Sequence, residues 1–221
     1  MALTAGSGHA EDMIRVAIVD DHHAVRLGLA TAIHAEPGLE SASVAGSAAE
    51  LEPLLYRTRP DVVLLDYNLP DADGLRVCHH IKSEPLAPKV IIYSAFADDS
   101  MTVPAVLAGA NGVLDKGLPA RELFGAIRRV HADGSAMPEL SRDHFEAALA
   151  VLADEDIPIL SMLLNRTPLH EIARTMRLNP SQLRARTATM LDALGGIVDR
   201  RTPSRVQSAA PYVRSAGSLN P

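Results

Sequence analysis

Five residues, far apart in the chain, have the types needed to do chemistry together. Asp20 and Asp21 follow the apolar run RVAIV (15–19), and Asp66 closes DVVLLD (61–66). Ser94 closes KVIIYS (89–94), and Lys116 closes GVLDK (112–116). Carboxylates gathered in one cleft repel each other unless a cation sits among them. Mg2+ suits a site built only of oxygens, with a few carboxylates and waters. A carboxylate can also attack a phosphoryl group and form an acyl phosphate. The cation would neutralise charge on the phosphoryl oxygens, an ammonium would hold one of them, and a serine hydroxyl could hydrogen-bond another.

The elements that must bring these residues together are readable as a period. Short apolar runs at 15–19, 41–46, 61–66, 89–94 and 112–116 alternate with helical stretches: His23–Ala35, Ala48–Tyr56, one through Lys82, one near Asp99–Ala108, and one from Pro119 to about Val130. Such alternation predicts βα units and a parallel sheet. Unbroken hydrophobicity over 62–65 and 90–92 predicts a sheet covered on both faces. The expected fold is α/β, a flavodoxin-like doubly wound (βα)5 domain, whose ligands bind beyond the carboxyl ends of the strands. All five residues fall at strand ends.

Composition limits the alternatives. The 221 residues, 47% hydrophobic and 22% charged, suit a globular protein, and no apolar run approaches the roughly 18 residues of a membrane span. One cysteine, Cys78, leaves no internal disulfide and fits a reducing, cytoplasmic setting as a small buried hydrophobe. Charge is uneven: residues 1–149 carry 12 Lys/Arg against 21 Asp/Glu, while 150–221 carry 9 Arg against 6 acids. An acidic front and a basic back suggest two modules with different partners. The expected boundaries are a flexible extension over 1–12, the sheet domain over 13–130, a linker over 131–151, a second, all-α domain over 152–210, and a disordered tail over 211–221. The paired histidines His22–His23 and His79–His80 read as polar helix or loop surface, since adjacent helical residues do not face each other. His22 and His23 lie beside the acid pocket and could tune access to it.

V-D-D at 19–21, L-D-Y-N-L-P-D-A-D-G at 65–74, S-A at 94–95 and D-K-G at 115–117 resemble the receiver domain of bacterial two-component response regulators. The resemblance implies that Asp66 is the phosphoacceptor. Asp20, Asp21, Asp66 and the backbone carbonyl of Asn68 would hold Mg2+, and Ser94 and Lys116 would contact the phosphoryl group. It implies a sensor histidine kinase as partner and, rather than an enzyme of foreign substrates, a protein that slowly hydrolyses its own aspartyl phosphate. An aspartyl-phosphate phosphatase would carry D-x-D at its first strand, and none is present. Receivers usually have Tyr or Phe three residues before the lysine; Val113 stands there, which predicts weak coupling to the far face. Gly117 stands where proline is common.

Residues 152–196 resemble the LuxR-type helix-turn-helix of the NarL/FixJ subfamily, with E-I-A (171–173) and L-D-A-L-G (191–195) as the best-fitting segments. Helices are expected at 141–152, 156–165, 168–176, 180–194 and 203–210. In the last long helix Leu183, Thr187, Met190, Leu191 and Leu194 share one face, and Arg184, Ala185, Ala188 and Thr189 the other. Small residues admit close approach to base edges, and Arg184 can read guanine bidentately. Arg174, Arg177 and Arg186 could hold phosphates of double-stranded DNA. Three departures stand out: Arg177 replaces a turn glycine, Thr187 replaces an inward apolar residue, and Pro158 is tolerable only in a helix's first turn. The expected function is a phosphorylation-switched transcription factor, with homodimerisation open. The alternative is a receiver whose output acts through protein contacts.

Overall fold

The computed structural model describes residues 13–84 and 86–198, with side chains through Gly195. The expected extension at 1–12, the helix at 203–210 and the tail at 211–221 lie outside the described residues. The N-terminal part alternates strand and helix: β1 (Ile14–Val19), α1 (His23–Ala35), β2 (Leu39–Ala45), α2 (Ala48–Thr58), β3 (Val62–Asp66), α3 (Gly74–Ile81), β4 (Lys89–Ser94), α4 (Thr102–Leu107), β5 (Gly112–Asp115) and α5 (Ala120–His131). The five strands form one parallel sheet in the order β2-β1-β3-β4-β5. Central strands are buried on both faces: Val62, Val63, Leu64, Leu65, Val90, Ile91 and Ile92 have essentially no exposed surface. The order reverses between β1 and β3, so their carboxyl ends, carrying Asp20 and Asp66, flank the crevice where such sheets bind ligands.

The rest of the described chain is helical: α6 (Arg142–Leu149), α7 (Ile157–Leu164), α8 (Leu169–Met176) and α9 (Pro180–Val198). Ser141 caps α6 by accepting from the His144 N–H, and Asn179 accepts from Gln182 N–H at 2.8 Å at the start of α9. Pro158 sits in the first turn of α7, where its missing N–H costs nothing. Arg177 adopts φ 56°, ψ 37°, so the turn keeps the left-handed geometry for which a glycine would be the unstrained choice.

Two features differ from the linear reading. The segment expected to be a linker is knitted into the sheet domain: Val113 N–H donates to Ala136 O at 3.0 Å, and Ala136 N–H to Asn111 O at 3.0 Å. It thereby covers the open edge of β5. The helical part also does not stand apart. Helices α6, α7 and α9 all pack against α4, and the apolar residues of β1, β3, β4, α3, α4 and α7–α9 form one continuous core.

Candidate functional site

The first-strand carboxylates owe their position to the turn after β1. Asp20 is 1% exposed, and its Oδ1 accepts the N–H of His22 at 2.8 Å, turning the chain into α1. Asp66 is 4% exposed at the end of β3, its Oδ1 accepting from Asn68 N–H at 3.3 Å. Lys116 N–H donates to Ser94 O at 2.8 Å, which fixes the β5 end beside β4. The Lys116 ammonium then lies 2.6 Å from Asp20 Oδ2 and 2.8 Å from Asp66 Oδ2. Ser94 is buried, and its Oγ accepts from Phe96 N–H at 3.1 Å.

Burial raises the Asp66 pKa, and the neighbouring Asp20 charge adds to the rise against the opposing pull of Lys116. Burial alone would lower Lys116, but its hydrogen bonds and charge contacts with both carboxylates outweigh that, and its pKa is raised. The cluster is therefore one lysine shared by two buried acids.

Asp20, Asp21, His22 and Asp66 each bring a ligand atom within 4.8 Å of the others. The His22 Nδ1 lies 2.5 Å from Asp21 Oδ1, so this histidine is part of the acid pocket and not merely beside it. Clustered carboxylates with one nitrogen donor fit a divalent cation. The loop after Asp66 is tightly closed: Gly74 N–H donates to Tyr67 O at 2.7 Å, and a Cβ on Gly74 would stand 2.2 Å from Asp66 O. Only glycine fits there. Asp71 in the same loop accepts from Ala48 and Ala49 N–H, both at 3.0 Å, capping α2.

The response regulator receiver domain family matches residues 16–128. The chain belongs to the response-regulator family. It is 30% identical over 204 residues to the DNA-binding transcriptional activator DevR/DosR of Mycobacterium tuberculosis, covering 88% of this chain and 93% of that one. It is 38% identical over 116 residues to the transcriptional regulatory protein LiaR of Bacillus subtilis, covering 52% and 55%. Among solved structures, a LuxR-family two-component response regulator from Aurantimonas is similar at 30% identity and TM-score 0.53, covering 61% of this chain and 94% of that one.

In this response regulator, the residues singled out for nucleic acid have mixed surroundings. Arg174, Arg177, Arg184, Ala185 and Thr189 are exposed, and Ala188 is half-buried. Arg186 is not a free base: its guanidinium lies 2.5 Å from Asp156 Oδ1 and 2.6 Å from Glu155 Oε1. Arg184 donates to Ser83 O of the sheet domain at 3.0 Å. One face of α9 rests on α3 and α4. Thr187 Oγ1 lies 2.9 Å from His79 Nε2, and Asp192 pairs with Arg76 at 2.9 Å. His79 is thus a half-buried interface residue and not polar surface. Its partner is the same Thr187 that replaces an apolar residue, and the hydroxyl is satisfied by that contact. Leu191, Asp192 and Gly195 also line a cleft with Tyr67, Asp73, Leu75, Arg76 and Pro104.

Sequence reasoning missed this interface, although it left a signal. Helix α4 reads TVPAVL, with Thr102, Val103, Pro104, Ala105 and Leu107 all buried. A helix apolar on every side must be covered on its outer face as well as its inner one. Sequence reasoning also missed Tyr93, which is buried, has its hydroxyl 3.3 Å from Lys116 O, and has its pKa raised by burial.

Proposed function

We propose that this response regulator is a transcription factor switched by phosphorylation of Asp66. The observation that carries the reading is the single ammonium of Lys116 bridging two buried carboxylates at the switch point of a parallel sheet. An Asp66 carboxylate oxygen would displace the imidazole of a kinase phosphohistidine, or the carboxylate of a small acyl phosphate. The new P–O bond forms as the donor P–N or P–O bond breaks, and water later cleaves the product slowly. Asp20, Asp21, Asp66 and the Asn68 carbonyl would hold Mg2+, which neutralises charge on the phosphoryl oxygens. Lys116 would transfer its contact to the phosphoryl group, and Ser94 would hydrogen-bond it. The receiver comprises 13–130, the connector 131–151 and the output domain 152–210, in a cytoplasmic protein that can act as a homodimer.

The output is proposed to read double-stranded DNA through α9. A recognition helix must enter the major groove. Here the inward side of α9, with Thr187 and Leu191, rests on the receiver and the bordering Arg184 and Asp192 bond to it, while Ala185 and Thr189 stay exposed; this docked conformation is the closed one. Phosphorylation would shift the population toward a form with α9 free, by as much as it favours that form. The loop from Asp66 to Leu75 is the proposed connection, because Tyr67, Asp73 and Leu75 line one cleft with Leu191, Asp192 and Gly195 of α9. One observation favours the reading in which the output acts through protein contacts: Arg186 is already held by Asp156 and Glu155.

Selection of bound DNA sequences with Mg2+ and a small acyl phosphate donor tests the proposal. The parent should form a hydroxylamine-labile phosphoryl adduct and enrich a defined sequence, and Asp66→Asn should form none. Labelling of Asp66→Asn equal to the parent would move the acceptor elsewhere. Phosphorylation without sequence enrichment would leave the protein-contact reading.

A further inference from the structure

We infer that His79 makes the contact between α3 and α9 a proton-sensitive latch, which acid pH opens. The inference rests on the closed conformation and takes its functional meaning from the proposed DNA reading. Three polar contacts join the receiver to α9 around this histidine: His79 to Thr187, Arg184 to Ser83 O, and Arg76 to Asp192. Their chemistry differs. His79 alone changes charge near neutrality.

Hydrogen-bond accounting sets the direction. The Thr187 hydroxyl donates to Arg184 O at 3.0 Å, so it can only accept from His79. The imidazole therefore donates from Nε2, which the neutral ring does fully. Protonation at Nδ1 adds no bond to Thr187. It adds a charge to a half-buried ring next to the Arg184 guanidinium. The charged and titratable groups near the ring are Arg76 and the adjacent His80 on α3, and Arg184 and Asp192 on α9. Of the helical elements packed on α3 and α9, α4 (TVPAVL) carries no titratable side chain, the turn before it carries Asp99, which pairs with His144, and α8 carries His170, Glu171 and Arg174. Asp192 favours protonation but is already paired with Arg76. Burial first, and then Arg184, hold the His79 pKa below its ordinary 6.5, consistent with this geometry.

The closed form thus binds fewer protons than the open form, in which the ring is solvated. Lowering the pH favours the form that binds more. If only the neutral ring fits the closed form, the open-to-closed ratio rises with the ratio of proton concentration to the ordinary dissociation constant. From pH 8.0 to 6.0 that is at most about fourfold.

The test uses the full chain without DNA. Dyes are placed on Glu52→Cys and Thr175→Cys, both exposed positions, and interdomain energy transfer is followed from pH 8.0 to 6.0. The open population should rise two- to fourfold in the parent. In H79Q, whose amide can still donate to Thr187 but cannot titrate, the rise should vanish. Two results overturn the latch. One is no pH response in the parent. The other is a response that survives H79Q; H144Q then tests the half-buried His144 of α6, which pairs with Asp99 at 3.0 Å. Because no DNA is present, failure of the DNA reading would leave this result standing.

Discussion

Replacing Lys116 with methionine should destabilise the metal-free protein in a manner that depends on pH. Asp20 and Asp66 have side chains only 2% and 5% exposed, and both lean on the same ammonium at 2.6 and 2.8 Å. Removing one partner of a buried ion pair costs roughly 3–5 kcal/mol, because an uncompensated charge is left behind. Here the cost has a ceiling, since one carboxyl can be protonated instead. At about 1.4 kcal/mol per pH unit above an ordinary carboxylate pKa, that ceiling is about 5 kcal/mol at pH 7.5 and about 1.5 kcal/mol at pH 5.0. The pKa of Asp66 is already raised in the parent, so it is the group that takes the proton. The sign follows: a folded-state pKa raised above the unfolded value makes the native state bind more protons, and the K116M deficit shrinks as pH falls. Urea titrations should give a loss of about 3 kcal/mol at pH 7.5 and at most about 1.5 kcal/mol at pH 5.0. Adding Asp66→Asn to K116M should recover much of the loss at pH 7.5. Millimolar Mg2+ should also recover part of it, by binding only the folded state. A deficit of the same size at both pH values would refute the reasoning, since it would show that lost packing dominates.

The interdomain ion pair gives a smaller, separable effect. Arg76 and Asp192 have side chains 65% and 53% exposed, so D192R should remove one weak attraction and add one weak repulsion, about 1 kcal/mol together. The open population should rise roughly fivefold, read by the same energy transfer, and R76D in the same chain should restore it; a fivefold rise that R76D leaves in place would assign the effect to α9 alone. Cys78 is fully buried and its thiol is pushed up to about 12, so the folded protein should resist iodoacetamide at pH 8 and react only on unfolding, as followed by mass. Alkylation at the rate of a free thiol would show that α3 opens readily.

How much of this was readable from the chain depended on whether a signal was local. The strands were, because four or five consecutive apolar residues such as Val62–Leu65 can only be the inside of a covered sheet. The acid pocket was also readable, because strand order places Asp20, Asp66 and Lys116 at neighbouring strand ends whatever the side chains do afterwards. The docking of α9 was not, since it depends on two surfaces more than 100 positions apart that are each ambiguous alone. Thr187 read as a defect in an apolar stripe, and His79 as solvated surface; each makes sense only against the other. Arg177 read as a missing glycine, yet the backbone takes the left-handed turn regardless, so the residue type was a poor guide to the geometry. The apolar sequence of α4 was the one overlooked local clue.

The position of α9 also bears on how a phosphoryl group on Asp66 could be sensed when Val113 stands where an aromatic is usual. Val113 is 3% exposed and lies inside the sheet, paired with Ile92, and a valine has no ring to swing to the surface. Coupling through that position would have to be weak, which was the expectation from sequence. The closed form offers a shorter route. Asp66 is joined to Asn68 by a hydrogen bond, Tyr67 to Gly74 by another, and Asn68 to Asp73 by a bridge. Gly74 leaves no room for the loop to flex independently of the Asp66 backbone. An adjustment at Asp66 would therefore pass to Tyr67, Asp73 and Leu75, which line one cleft with Leu191, Asp192 and Gly195. Asp66, the proposed acceptor, and α9 are thus separated by one tightly closed loop, which is the route by which the two would communicate.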